Sequence, residues 1–396
     1  MAEADLDILV VGGGAIGASL MLALDTLGYH TCLVDAQPSL DDARSLALSP
    51  ASLRILGQLN VWPLLSCVAT NIRAVHVSEA GRFGQARLLG KDDQPLGAVV
   101  EMRALSRALW SLIDKKKALV PATLIHYDKV RGEATVKTQT GERRLRPRMV
   151  VAADGAHSSM RRWCDMPVKT KCYGQEALVT TIDLSRAHEG WAYERFTLNG
   201  PMALLPLSDK RVSLVWTLPP AEAARLKVSP AAVFLGELQK AFGYRLGRFV
   251  RVGERFSYAL RELMMPEQVM GSVVFIGNAA HTLHPVAGQG FNLGLRDVAM
   301  LAECFGETGL TSETLLRYQA LRRSDQRTIA ACTDGLIELF SSSLPGLPCL
   351  RTLGLMVFDN APLLKKILMH YAGGLGGILP GLVCGLPLKT KDLPYA

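Results

Sequence analysis

Residues 7–35 read DILVVGGGAIGASLMLALDTLGYHTCLVD, and this stretch decides the fold. Asp7 to Val11 is a short apolar strand, and Gly12-Gly13-Gly14-Ala15-Ile16-Gly17 gives G-x-G-x-x-G. Ala18 to Leu27 continues as an apolar helix, and His30 to Val34 forms a second strand closed by Asp35. A lone G-x-G-x-x-G is weak, but the strand before it, the helix after it and an acid about twenty residues on make this the dinucleotide-binding βαβ unit. Gly12 allows the tight turn, Gly14 admits the pyrophosphate, Gly17 permits close helix packing, and Asp35 can accept from a ribose hydroxyl. An acid at that position disfavours a 2′-phosphate, so the resident nucleotide is FAD or NAD rather than NADP.

Two further stretches bear on the same ligand. Val150-Val151-Ala152-Ala153-Asp154-Gly155-Ala156-His157-Ser158 follows a basic hairpin-like stretch and reads as a buried strand ending in an Asp-Gly turn. Residues 275–297, FIGNAAHTLHPVAGQGFNLGLRD, place Gly277-Asn278 at the end of an apolar strand, Ser272 to Ile276, and then a glycine loop. Gly288, Gly290 and Asn292 tolerate unusual dihedrals and let main chain approach a ligand closely. A helix is expected from about Leu293, and its N-terminal amides and dipole favour negative charge, such as that on the pyrimidine edge of a reduced flavin. Taken alone, the loop is as readily an ordinary strand-loop-helix connection, and the Asp-Gly pair only a turn; their value lies in occurring with the first motif.

Together the three elements resemble the FAD-dependent aromatic hydroxylases, the p-hydroxybenzoate hydroxylase-like group. The resemblance implies that the first motif holds the ADP half of FAD. It also puts Asp154 near the pyrophosphate and the docking path of the nicotinamide, and the third motif at ribityl and flavin. His284-Pro285-Val286-Ala287-Gly288-Gln289-Gly290-Phe291-Asn292-Leu293-Gly294-Leu295-Arg296-Asp297 is similar to the complete signature of the ubiquinone-biosynthesis hydroxylases. Within that family Arg44-Ser45-Leu46-Ala47-Leu48, Val75-His76-Val77-Ser78 and the segment from Arg195 through Leu205-Pro206-Leu207 to Trp216 resemble the branch acting on 2-polyprenyl-6-methoxyphenol. The likeness runs from about residue 6 to about residue 335. The wider group carries Asp where this chain has Asn278; an amide still accepts from a hydroxyl, but without charge.

What the resemblance implies is a ring monooxygenase. NAD(P)H, docking transiently, reduces the flavin; oxygen adds to give a flavin hydroperoxide; one oxygen atom passes to an electron-rich polyprenylated methoxyphenol. The cofactor does the hard step, so no catalytic side chain is specified. Arg44 matches a family arginine near the flavin, with a solvated arginine as the alternative. Arg107, or Arg103 before it, is the candidate polar contact to the pyrophosphate, an exposed helix charge being the alternative. Pro285 would shape the wall at the flavin or simply make a turn. Leu205, Pro206 and Trp216 are candidates for lining the substrate cavity, against the alternative of plain sheet core. His281 and His284 have no further ligand residue at metal spacing nearby, so no metal is expected.

The fold class that follows is mixed α/β. A discontinuous Rossmann-like FAD domain spans residues 1–70, 100–170 and 265–330, and an inserted β-sheet substrate domain spans 71–99 and 171–264. Alternating stretches such as Ile72 to Val77 and Arg211 to Trp216 supply the sheet. Residues 331–396 read as a C-terminal helical segment rich in Leu, Met and Gly. Its Lys365-Lys366 pair, set among Leu363, Leu364, Ile367 and Leu368, reads either as a helical cap on the FAD domain or, as preferred here, as a peripheral membrane surface. The uncharged run Tyr371 to Leu388 carries too many glycines and prolines for a lone membrane helix.

Composition agrees. At 396 residues and 49% hydrophobic, the chain is long enough for a large core and more than one domain. Eight cysteines without C-x-x-C spacing suit a reducing compartment. The early strand and the acids Glu3, Asp5 and Asp7 are unlike a signal or transit peptide. The expected location is therefore cytoplasmic, on the inner face of a bacterial membrane. A net charge of +8 favours an anionic partner. With no basic stripe interleaved with aromatics and no reader fold, lipid is the better candidate than nucleic acid. A homo-oligomer or a complex of ubiquinone-biosynthesis enzymes is a further expected partner. Two other readings stay open: isoprenoid epoxidation or reduction on the same fold, and a non-catalytic FAD protein of a lipid-biosynthetic complex.

Overall fold

The computed structural model describes residues 6–37, 42–91, 93–342 and 344–389; Glu3 and Asp5 lie outside them. In chain order, Leu6–Val11 (β1), Ala15–Thr26 (α1) and Thr31–Val34 (β2) form the first unit. Ser45–Leu48 (β3), Pro50–Gln58 (α2), Ala74–Glu79 (β4), Met102–Leu112 (α3) and Pro147–Ala152 (β5) follow. Then come Lys169–Leu184 (β6), Trp191–Thr197 (β7), Gly200–Pro206 (β8) and Arg211–Leu218 (β9). Pro220–Val228 (α4), Ala231–Phe242 (α5), Phe256–Met264 (β10) and Val273–Phe275 (β11) lead to four C-terminal helices: Gln289–Thr308 (α6), Ser312–Ser341 (α7), Leu347–Asp359 (α8) and Pro362–Ala372 (α9).

Among the described residues one sheet is six-stranded, with β11, β5, β1 and β2 side by side and parallel; Val269–Met270 and Ala118–Leu119 form its edges. Its strands are apolar on both faces because both are covered. Ile8, Val10, Val151, Val274 and Ile276 point into one core with α1 and α6. Leu9, Val11, Val150, Ala152, Val273 and Phe275 point into a second core. There they meet a three-stranded sheet built from Ala122–Asp128, Glu133–Thr138 and Gly141–Leu145. Helix α1 lies between neighbours and is buried over Gly17 to Leu24.

The second sheet runs β10, β6, β9, β8, β7, β4 with further short strands at both ends, all antiparallel except the β7–β4 pair. Its two faces differ. On one, Leu178, Tyr193, Met202, Leu204, Leu214 and Trp216 pack against α4 and α5. On the other, Ala192 and Leu205 meet Ile72, Val99 and Ala47, and the end of α7 lies against it through Phe196 and Phe340, whose rings stack at 3.7 Å.

The structure differs from the sequence reading in four places. The helix after the glycine loop starts at Gln289, four residues before Leu293, so Gly290 and Asn292 lie in its first turn with helical backbone and only Gly288 of the three has a positive φ, +61°. Trp216 belongs to the face packed on α5, 6.1 Å from Phe234, and not to the opposite one. Pro206, opposite Val212, shares that outer face. Helix α7 runs unbroken through residue 331, so the C-terminal helices grow out of it.

Candidate functional site

The three motifs meet. At Gly12, φ is +106° and an added Cβ would lie 2.5 Å from the Ala153 carbonyl oxygen, so only glycine lets the first loop rest on the second motif. Gly17 is as tight, with its added Cβ 1.9 Å from the Gly12 carbonyl oxygen. Arg161 joins the second motif to the third: one Nη donates to Ala279 O at 2.6 Å, the other to Ala156 O. Ile16 closes the triangle, lying 2.9 Å from where a Cβ on Gly294 would sit and 3.1 Å from one on Gly277.

Around this meeting point several groups have room for a ligand. Nothing lies within 4 Å of a Cβ added at Gly14, which heads α1 with no side chain capping it. Helix α6 is likewise headed by Gly288 with no side chain capping it, which leaves the positive end of its dipole unmatched by a side chain. Asp154 accepts from Met160 N at 3.1 Å through Oδ2, while its Oδ1 is buried without a partner. Two uncapped helix N-termini, an open glycine cradle and a buried acceptor suit a dinucleotide carrying phosphates at one end and an anionic ring at the other. The residues present fit FAD.

The remaining candidates fall as follows. Asp35 accepts from Gly13 N through Oδ2 and from Gln37 N at 2.8 Å through Oδ1, which fixes the carboxylate at the end of β2 beside the glycine turn. Gly13 is held from the other side by Trp110, whose indole donates to its carbonyl at 3.1 Å. Arg107 is exposed on α3. Arg44 pairs with Asp42 and lies over the Tyr258 ring at 5.4 Å. Asn278 is exposed in the turn Gly277–Ala279. Pro285 makes a turn, its carbonyl accepting from Gly288 N at 3.0 Å. Asn292 has no capacity left for a cofactor. Its Oδ1 accepts from Ser49 N at 2.9 Å and Ser52 Oγ at 2.7 Å, and its Nδ2 donates to Ala47 O and Gly288 O, both at 2.9 Å. It pins β3 and α2 to the glycine loop instead. Leu205 faces the same side as Ala47, whose Cβ is 3.4 Å from where a Cβ on Gly288 would lie.

Asp297, the last residue of the long motif, holds the third motif from behind. It is fully buried, receives His281 Nε2 at 2.5 Å, Arg322 Nε at 2.8 Å and Gln326 Nε2 at 3.0 Å, and accepts from Gly277 N at 3.3 Å. Burial alone would raise its pKa, but His281 and Arg322 hold the carboxyl well below the usual carboxylate range. His284 is separate: its ring meets Tyr173 edge-on at 5.0 Å, and burial pushes it down to about 4. Among the described residues no group of three or more His, Cys, Asp or Glu is placed to hold a metal ion.

Sequence reasoning missed Glu194. It sits on β7 with part of its side chain accessible, yet protein surrounds it so fully that burial pushes its carboxyl up to about 8.

Residues 5–330 match the family described as FAD binding domain. The chain is 35% identical over 405 residues to ubiquinone hydroxylase UbiL of Rhodospirillum rubrum, covering 96% of this chain and 93% of that protein. It is 31% identical over 395 residues to 3-demethoxyubiquinol 3-hydroxylase of Escherichia coli, covering 95% and 100%. Among solved structures, p-nitrophenol 4-monooxygenase PnpA from Pseudomonas putida superposes with a TM-score of 0.78 at 18% identity, over 95% of this chain and 99% of that one.

Proposed function

This chain belongs to the FAD binding domain family, and on that premise we propose that it hydroxylates the ring of a polyprenylated methoxyphenol in ubiquinone biosynthesis. It is an FAD-dependent monooxygenase of mixed α/β fold. The observation that carries the substrate reading is the 35% identity to a ubiquinone hydroxylase across 96% of the chain. When bound, FAD would pass electrons from NAD(P)H to O₂, making one oxygen atom available to the ring and releasing the other as water.

The protein's own residues do the rest. The Gly12–Gly17 turn and the α1 N-terminus receive the pyrophosphate, and the α6 N-terminus favours negative charge on the flavin ring. The inner face of the second sheet, through Ala192 and Leu205, walls the reacting space with apolar side chains that keep water out.

A long prenyl tail calls for a lipid-facing entry, and the C-terminal helices suit one. No helix among the described residues is long and apolar enough to cross a membrane. Helix α8 buries only Arg351, whose guanidinium reaches Glu79 at 2.6 Å, and α9 buries nothing. Leu350, Leu353, Val357, Leu363 and Ile367 are thus exposed beside Lys366. An apolar stripe flanked by basic side chains fits the surface of an anionic bilayer. Docking there would also bring the enzyme beside others of its pathway.

Replacing Leu363, Lys366 and Ile367 by Glu should cut co-sedimentation with anionic vesicles by about tenfold or more, since each basic residue near such a surface contributes about 1 kcal/mol. Unchanged sedimentation would remove the membrane reading.

The Escherichia coli relative's name favours a second ring, a demethoxyubiquinol. Chromatography of products after NADPH turnover with short-chain forms of both rings separates the two. Hydroxylated methoxyphenol in step with NADPH consumed supports the first, and hydroxylated demethoxyubiquinol the second. An altered prenyl chain with the ring untouched would point to epoxidation or reduction, and a bound flavin that NADPH cannot reduce to a non-catalytic role.

A further inference from the structure

We propose that Glu194 is the catalytic base that takes the phenolic proton of the bound ring, an inference that rests on the phenol-hydroxylase reading above. Strand β7 alternates. Tyr193 points to α5, where its ring meets Phe242 at 5.5 Å, and Arg195 Nε donates to Ala241 O at 3.0 Å on the same side. Ala192, Glu194 and Phe196 therefore point the other way. Ala192 packs in the cluster that contains Ala47, the residue against Gly288 of the glycine loop. Phe196 stacks on Phe340 of α7. Glu194 lies between these two anchors, midway along a wall that has the flavin loop at one end and the C-terminal helices at the other.

Its neighbours on the sheet are apolar. Opposite it on the neighbouring strands are Val77 and Ala203, with Val215 next across the sheet, all apolar and all partly accessible. No described residue hydrogen-bonds or ion-pairs with the Glu194 carboxyl group. The charged groups on the elements packed around this face are engaged elsewhere: Glu79 with Arg351 of α8, Asp334 of α7 with Lys171 and Tyr173, and Arg211 of β9 with Glu101. An acid in an apolar wall without a protein partner is costly unless a ligand supplies the partner.

The chemistry follows from the burial. With its carboxyl pushed up to about 8, Glu194 comes within about 2 pKa units of a phenol, against about 6 for an ordinary glutamate. In the step, the phenol O–H bond breaks and leaves its electron pair on the phenolate oxygen, while the proton forms a bond to a Glu194 carboxylate oxygen. The phenolate is more electron-rich at the ring carbons that accept an electrophilic oxygen. As the product regains aromaticity, the proton lost from the ring carbon replaces the one removed, and Glu194 releases its own to solvent when the product leaves.

The test compares full-length, FAD-loaded wild type with Glu194→Gln and Glu194→Asp, using short-chain 2-polyprenyl-6-methoxyphenol. The pH profile of single-turnover hydroxylation reports the base, because only the ionised carboxylate can take the proton as the oxygen is transferred. In wild type the rate should rise with pH through about 8, Glu194→Gln should lose that limb, and Glu194→Asp should keep it at a shifted position. Hydroxylation by Glu194→Gln should fall by about 100-fold or more at neutral pH, with flavin content and melting temperature retained. If Glu194→Gln hydroxylates at the wild-type rate or keeps the wild-type pH profile, the inference falls alone. If wild type binds and hydroxylates no phenol, the reading beneath falls and takes the inference with it.

Discussion

Gly14→Ala should weaken FAD binding without loosening the fold, whereas Gly17→Ala should lose cofactor and stability together. The difference lies in what each new methyl meets. At Gly17 it would sit 1.9 Å from the Gly12 carbonyl oxygen, which is backbone and cannot rotate away, so α1 must move off β1. Overpacking of that kind costs about 1–3 kcal/mol. At Gly14 the methyl meets no protein atom within 4 Å, and the backbone, at φ −62° and ψ 175°, accepts alanine. The cost to the apoprotein should stay within about 0.5 kcal/mol. The open space is needed by the pyrophosphate, so affinity for FAD should fall at least tenfold, about 1.4 kcal/mol. Urea denaturation of the apoproteins and titration with FAD separate the two variants. A Gly14→Ala protein that keeps its flavin would remove the pyrophosphate from this turn.

Asp297→Asn is expected to destabilise the protein by about 2–3 kcal/mol, because the Arg322 guanidinium, 1% exposed, loses its fully buried counter-charge and keeps only Asp325. Asp297 also holds Gly277 N and His281, so the loss reaches the third motif directly. Replacing both ionic partners should cost less than the sum of the single changes, since a well-packed neutral pair is nearly as good as a buried ion pair. Asp297→Asn/Arg322→Met tests this by denaturant unfolding. The pH dependence has a definite sign. A carboxyl held below its unfolded value of about 3.9 contributes stability that is present above that pH and drains away as the pH falls toward its lower folded value. Wild type should therefore show an acid limb below about pH 4 that the Asn variant lacks.

What could be read from the sequence was local, and what could not was relational. The βαβ unit was legible because turn, approach and packing are each met by a glycine at fixed spacing within residues 7–35. The long third motif was legible as a ligand loop. Its helix start was misplaced because Gly288, Gly290 and Asn292 look like loop residues, whereas Asn292 enters the helix by meeting three hydrogen bonds from Ala47, Ser49 and Ser52, far away in sequence. Trp216 was open between cavity and sheet core for a different reason. Val212, Leu214, Trp216 and Leu218 share one face and Val215 lies on the other, so alternation groups these residues, but only the packing of α5 shows which face is covered. Glu194 was hidden by Arg195: two adjacent charges point to opposite faces, and nothing local says which one goes inward. The Asp297–Arg322 pair spans two helices, and its meaning appears only when they pack.

Oxygen transfer to a phenolic ring is tested most directly by the product mass spectrum after turnover of the FAD-loaded enzyme with NADPH, ¹⁸O₂ and short-chain 2-polyprenyl-6-methoxyphenol. One ¹⁸O atom in a new ring hydroxyl is the predicted result. NADPH consumption that leaves the ring unlabelled, or a label carried on the prenyl chain, would contradict it.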